Sequence, residues 1–457
     1  MKKLLIIFIL PLFIFACDDD SSPRDAITWK INPEKKEHKL GDKNNFYARN
    51  TVYNTFYSLI AELRYVGEYC NVWVEIPGKR HVTPEEVNTI GKAYDEEIYP
   101  NLMECFGVKF DLEDGKTYDI MQIADFMGNN DGKLCILLLD IKDNYDEEKG
   151  GPYVAGFFDP INFWDSYPGV STNKRDMIYI DTFPGNPGSK TSLEIVAHEL
   201  QHLMNFVTRQ VLSEINNSPS QMDLWINEGL SSAAEWSVFG HSEDRIKYYI
   251  NDPYGTIAKG NNFFVWDQNR DHTVLDDYST VYMFFQWLRL QNNKDIYKKI
   301  ISSDYPDYRA VTENAADYET NNWEKLIGDW LRANYVNASS GVYGYRGEDA
   351  FNGLETHYID TNNTTVSLLP GEGVFSYSSG TLDVPSPSGN IRYVGLTNAL
   401  LTYNANPSNG RFIESGTITG QTPASIISPA RSALGGSLPI LAPYPISMEE
   451  MLRRNSN

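Results

Sequence analysis

The stretch Glu194-Ile195-Val196-Ala197-His198-Glu199-Leu200-Gln201-His202-Leu203-Met204 places two imidazoles and a carboxylate in the pattern H-E-x-x-H. On a helix, positions four apart lie one above the other on the same face. His198 and His202 can therefore grip one metal ion from one side, and Glu199 can reach a water on that ion. Zinc favours four ligands, and a catalytic site takes three from the protein and leaves the fourth to water. Two histidines are one ligand short. Trp225-Ile226-Asn227-Glu228-Gly229-Leu230-Ser231-Ser232-Ala233-Ala234-Glu235 is a second helical stretch, and its Glu228 lies 26 residues beyond His202. That separation leaves room for the first helix to end, a polar loop over Ser213 to Ser220, and an antiparallel return that brings Glu228 to the metal.

The elements around these residues are legible from periodicity and caps. Gly185, Pro187 and Gly188 end what precedes the first helix, and Thr191-Ser192-Leu193-Glu194 reads as its capping box. Leu193, Val196, Ala197, Leu200, Leu203 and Met204 form a buried stripe with the histidines at its edge. In the second helix, Trp225, Leu230, Ala233, Ala234 and Val238 share a side; Glu228 falls in the first turn, beside a glycine that admits another backbone. Upstream, Asn71 to Ile76 reads as a strand stopped by Pro77-Gly78, and Thr83-Pro84-Glu85-Glu86 opens a helix running to about Phe106. Leu134 to Ile141 is a continuous apolar run expected to be a strand buried on both faces, and Met177 to Asp181 is another strand. Phe46 to Glu62 is ambiguous. Asn129-Asn130-Asp131-Gly132, with Asp125, resembles half a calcium loop but lacks the full pattern and its final glutamate, so a tight turn is the reading. Downstream, Tyr278, Val281, Tyr282, Phe285 and Leu288 make one core helix face; Trp323, Leu326, Ile327, Trp330 and Leu331 make another. The plan is α+β: an N-terminal sheet part, then a helical part, with the zinc cleft between them.

Two segments together carry a family resemblance. H-E-x-x-H followed by N-E-G-x-S resembles the gluzincin metallopeptidases, the group that includes thermolysin. Within that group, His198 to Phe206 and Trp225 to Ser231 are similar to the hyicolysin family of bacterial metallopeptidases, as are Gly132 to Ile141 and Ala155-Gly156-Phe157-Phe158. The likeness runs from about Phe46 to about Tyr345. It implies that His198, His202 and Glu228 hold one zinc ion, that Glu199 is the catalytic base, and that the substrate is a protein or peptide. The step from His202 to Glu228 is longer than in thermolysin itself, so that enzyme's other active-site residues do not transfer.

Other residues are candidates for supporting roles. Ligating histidines usually donate their outer nitrogen to a carboxylate; Glu235, two turns beyond Glu228 on the same face, is such a candidate, and a plain surface glutamate is the competing reading. Tyr278, Tyr282 and His241 are candidates for stabilising the oxyanion, with none singled out. His38, His81, His272 and His357 have no metal-like neighbours.

At the N-terminus, Met1 to Ala16 reads as a signal sequence: Lys2 and Lys3, then an apolar stretch from Leu4 to Phe15 too short for a membrane span. Phe15-Ala16-Cys17 resembles a lipoprotein box, with lipid expected on Cys17; plain secretion is the alternative. Asp18 onward reads as a solvated tether, giving a linker over 17–45, a catalytic region over 46–350 and, where Gly, Ser, Thr, Asn and Pro rise, a C-terminal β-rich module over 351–457 with a loosely ordered tail from about Gly420. The chain carries 39 basic and 61 acidic side chains, net −22, which argues against nucleic acid or an anionic membrane surface as partners. Three cysteines besides Cys17 and no C-x-x-C argue against a disulfide framework or a cysteine-held metal.

The expectation is thus a lipid-anchored, extracytoplasmic, monomeric zinc metalloendopeptidase. The alternative is an inactive surface lipoprotein of the same fold that binds protein ligands; an intact Glu199 speaks against it. An aminopeptidase would carry Gly-x-Met-Glu-Asn, which Met103-Glu104-Cys105 does not match.

Overall fold

The computed structural model describes residues 37–418 apart from 113–114, 150–152, 165–170, 261–262, 267–273, 317–321, 360–363, 381 and 409–411. The signal sequence, Cys17, most of the tether and the tail beyond 418 lie outside the described residues.

A six-stranded mixed sheet forms the first half. The ambiguous stretch around Phe46 folds as a hairpin of β1 (Lys43–Asn50) and β2 (Thr55–Val66), so the sheet begins ahead of Phe46. β3 (Cys70–Glu75) continues it. A helix of three joined pieces follows: α1 (Pro84–Ala93), a π turn and α2 (Tyr99–Cys105). Its start is the one read from sequence, and Thr83 and Glu86 bond each other's backbone N–H in a capping box. A small hairpin, β4 (Lys109–Asp111) and β5 (Thr117–Asp119), leads into α3 (Ile120–Met127). The Asp125–Gly132 segment then makes a turn that satisfies itself: Gly132 N–H donates to Asp125, and Asn129 donates to Asp131. β6 (Leu134–Leu139) runs parallel to β3 and is buried at every residue, as its unbroken apolar run demands. β7 (Gly156–Phe158) and β8 (Met177–Asp181) complete the order β1-β2-β3-β6-β8-β7, with β7 antiparallel on the edge.

The second half is helical. α4 (Lys190–Asn216) packs on β7 and β8 on one side and on α5 (Leu224–Phe239) on the other. Its middle is therefore buried almost all round, from Ile195 to Asn205. The predicted cap shifts: Ser189, not Thr191, accepts from Ser192 N–H, and Glu194 instead pairs with Lys190 at 2.8 Å. The helix also runs on to Asn216, which shortens the connecting loop. Arg209, 1% exposed, ties that loop down by donating to the carbonyl of Pro219, and reaches the Ser303 and Asp304 carbonyls as well. α6 (Glu243–Asn251), α7 (Val274–Asn292), α8 (Asp295–Ile301), α9 (Tyr308–Thr312) and α10 (Trp323–Val336) build the core behind α5. Beyond them, β9 (Thr365–Leu368), β10 (Gly373–Tyr377), β11 (Ile391–Gly395), β12 (Ala399–Asn404) and β13 (Glu414–Thr417) make a three-stranded and a two-stranded sheet. These lean on α10, where Arg392 pairs with Glu324 at 2.8 Å and Phe375 stacks on Tyr335.

Two glycines set how closely the elements approach. A Cβ on Gly156 would sit 2.5 Å from Ile195 Cγ2, so a side chain there would push α4 off the edge strand. A Cβ on Gly229 would sit 2.3 Å from Cε2 of Phe285, a fully buried ring on α7. Sequence reading expected a backbone at Gly229; the neighbour is this aromatic side chain. Gly229→Ala should therefore cost about 1–3 kcal/mol in a urea unfolding titration, the usual penalty for overpacking a rigid core. It should also weaken metal retention, because the displaced residue neighbours Glu228. A variant as stable as wild type would show that Phe285 moves freely, against its packing.

Candidate metal centre

α4 and α5 run side by side, and each presents one face to the other. From α4 come His198, Glu199 and His202, exposed 4%, 3% and 8%. From α5 comes Glu228, fully buried. Among the described residues, His198, His202 and Glu228 are the one group of three or more such side chains whose ligand atoms all lie within 4.8 Å of one another. Glu228 Oε2 is 3.3 Å from His198 Nε2 and 3.6 Å from His202 Nε2. Both Glu228 oxygens are buried and neither accepts a hydrogen bond. A buried carboxylate so placed faces two imidazoles yet has no hydrogen-bond partner. Two imidazole nitrogens and a carboxylate are also the donor set of a divalent transition-metal site. The three residues thus fit a metal ion.

α5 also fixes how both rings face. Glu235 Oε1 lies 2.7 Å from His198 Nδ1. Ser231 Oγ lies 3.1 Å from His202 Nδ1, the nearer of the two ring nitrogens, and donates its own hydrogen to Gln201 Oε1 at 2.5 Å. Ser231 Oγ must then accept, so Nδ1 of His202 carries the proton. Glu235 can only accept, so Nδ1 of His198 carries one too. Both rings turn Nε2 toward Glu228, the tautomer a metal requires. Glu228, Ser231 and Glu235 stand three and seven positions apart on one face of α5. Asn205 and Asn227 bond each other at 2.5 Å and hold the two helices in register.

The charges respond accordingly. Burial alone would lower His198, but Glu228 and Glu235 outweigh it and lift its pKa to about 10. His202 is raised against burial by Glu228. Burial would raise Glu228, but the two histidines hold it far below the ordinary carboxylate range. Glu199 is pushed up by burial, offset in part by both histidines and by the backbone N–H of Phe158 on the edge strand. Burial would likewise raise Glu235, but Arg245 and His198 keep it low.

Three other sequence candidates, two on α7 and one just past α5, have partners of their own. Tyr282 hydroxyl accepts from Ser242 N–H and lies 3.2 Å from His241 Nδ1. Tyr278 stacks under the guanidinium of Arg245, 5.0 Å from its ring centre. Of the remaining histidines, His38 packs edge-on to Trp73, His357 bonds the Ile250 carbonyl, and His272 lies outside the described residues. Cys70, Cys105 and Cys135 are free and buried. Sequence reading missed Ser231, Gln201, Phe158 and Arg245. Ser231 stood in plain view at three positions past Glu228; the other three join the site only through tertiary packing.

No family model matches the chain. It is 27% identical over 385 residues to the neutral metalloprotease ShpI of Staphylococcus hyicus, an alignment covering 81% of this chain and 80% of that protein. That likeness, joined to a buried His-His-Glu group suited to a metal ion, supports placing the chain among the metalloproteases.

Proposed function

We propose that the chain is a zinc metalloendopeptidase of the hyicolysin type, with His198, His202 and Glu228 as ligands and Glu199 as general base. The observation that carries this reading is the convergence of three buried donors on one point, with a fourth, non-ligating carboxylate beside them on α4. When bound, zinc would polarise the scissile carbonyl and make a water acidic enough to attack near neutral pH. Glu199 would take that water's proton and hand it to the leaving amine nitrogen. The backbone N–H of Phe158 lies on the side that favours the charged Glu199 carboxylate. Glu235 and Ser231 hold the two imidazoles with Nε2 forward. The edge strand β7 beside the site offers backbone groups to which an extended substrate can pair.

The reading is tested with soluble protein lacking residues 1–17. Casein cleavage should disappear in a zinc chelator and return with about one equivalent of zinc per chain. Cleavage indifferent to the chelator would end the metallopeptidase reading. Zinc binding without cleavage would favour the inactive ligand-binding relative.

Export and anchoring belong to the same proposal. Residues 1–16 would be removed and Cys17 lipidated, tethering the enzyme outside the cytoplasm. Labelled palmitate should enter the full chain and not its Cys17→Ala variant. Equal labelling of both would exclude the anchor.

A further inference from the structure

We propose that Arg245 is a positioning residue of the metal centre, acting through Glu235 to set the His198 ring. The proposal rests on the metallopeptidase reading of the site. Arg245 belongs to α6, not to either helix that carries ligands, and its side chain is 18% exposed. Its Nη2 is 2.8 Å from Glu235 Oε1 and its Nε is 3.4 Å from Glu235 Oε2. The oxygen it holds most closely, Oε1, is the same one that accepts from His198 Nδ1. Arg245 therefore grips both oxygens of a carboxylate whose only freedom is rotation, and it fixes the oxygen that aims the ligand. Among the described residues it is the one Lys or Arg paired with Glu235.

Charge balance asks for such a group. Glu199, Glu228 and Glu235 are all buried, at 3%, 0% and 6% exposure. The two imidazoles are neutral as ligands. A divalent ion offsets two of the three negative charges; the third needs another cation in the same low-dielectric region. Arg245 supplies it, and Tyr278 makes the supply specific. The guanidinium carbon lies over that ring, 5.0 Å from its centre, while Nη2 and Nε reach Glu235. A lysine would carry the charge without the two-point contact or the stacking face.

The test is a double-mutant cycle on zinc affinity, read by competition against a chromogenic chelator. Arg245→Met should weaken zinc binding by about 10- to 100-fold, the range seen when an outer partner of a ligating histidine is lost. Glu235→Gln should weaken it comparably. In the Glu235→Gln background, Arg245→Met should add less than about threefold, because its route to His198 is already cut. Melting in the zinc-free state should change little beside the loss of the zinc-induced rise. If Arg245→Met does not fold, Arg245→Gln, which keeps a donor and drops the charge, enters the same cycle. Affinity within twofold of wild type, or losses that multiply in the double variant, would overturn the positioning role and leave Arg245 a brace of α6. Wild type that binds no zinc would instead remove the metallopeptidase reading itself, and this proposal with it.

Discussion

Glu199→Gln should lose about two to four orders of magnitude in kcat/KM on a peptide substrate while keeping its metal, the range general-base catalysis supplies. The substitution separates chemistry from construction. Glu199 is not among the three residues whose donors converge, so the ligand set stays intact. Glutamine has the same length, and its carbonyl oxygen can still face the backbone N–H of Phe158. What it cannot do is take a proton. Burial pushes the Glu199 carboxyl upward, toward the range in which a base is effective near neutral pH. Burial works against the charged carboxylate, so the zinc-free variant should be at least as stable as zinc-free wild type. Active sites often hold groups that cost stability in this way. Matched zinc content by atomic absorption makes the comparison clean. Equal rates at equal zinc would remove Glu199 from the reaction; loss of zinc would mean that it helps to hold the ion.

How much of this was legible beforehand depends on whether a residue's role is local. His198, Glu199 and His202 could be placed because one helix face brings them together, and α4 needed only its apolar stripe to be read as a helix. Glu228 came from a second short motif, and Glu235 from its two-turn offset on α5. The cap at Ser189 was misplaced because Thr191 and Glu194 match the capping box, whereas Ser189 has a serine at the third position. The chain is already helical at Lys190, which leaves Thr191 inside the first turn and Glu194 free to pair with Lys190. The β1–β2 hairpin was ambiguous because only one face of it is buried and its pairing with β3 is irregular between Leu63 and Tyr65. Arg245 gave no signal at all: it follows the break at Gly240, and only the docking of α6 against α7 brings it to Glu235. The tyrosines Tyr278 and Tyr282 sit at helical spacing on α7, one beneath Arg245 and one accepting from Ser242 N–H.

Glu228→Gln should abolish zinc retention after dialysis and also reduce the pH dependence of the zinc-free protein's stability. Glu228 is wholly buried, and without an ion its charge is met only by the two imidazoles. In that state His198 titrates near 10, well above its ordinary 6.5. A group raised on folding stabilises the fold fully below its unfolded pKa, and that stabilisation is lost as pH rises through the folded one. Zinc-free wild type should therefore weaken steadily between pH 6.5 and about 10, as the proton facing Glu228 departs. Bound zinc replaces that proton, so the loaded protein escapes this loss. The gap between loaded and zinc-free stability should then widen with pH; an ion at a thousand times its Kd adds about 4 kcal/mol to begin with. The measurement is urea unfolding at pH 6.5 and pH 9, with a chelator or with one equivalent of zinc. In Glu228→Gln one of the two carboxylates that raise His198 is gone while Glu235 remains, so the slope should shrink without vanishing and the zinc increment should be lost. A slope unchanged by the substitution would place its origin in another group; a zinc increment that survives would mean that the ion does not depend on Glu228.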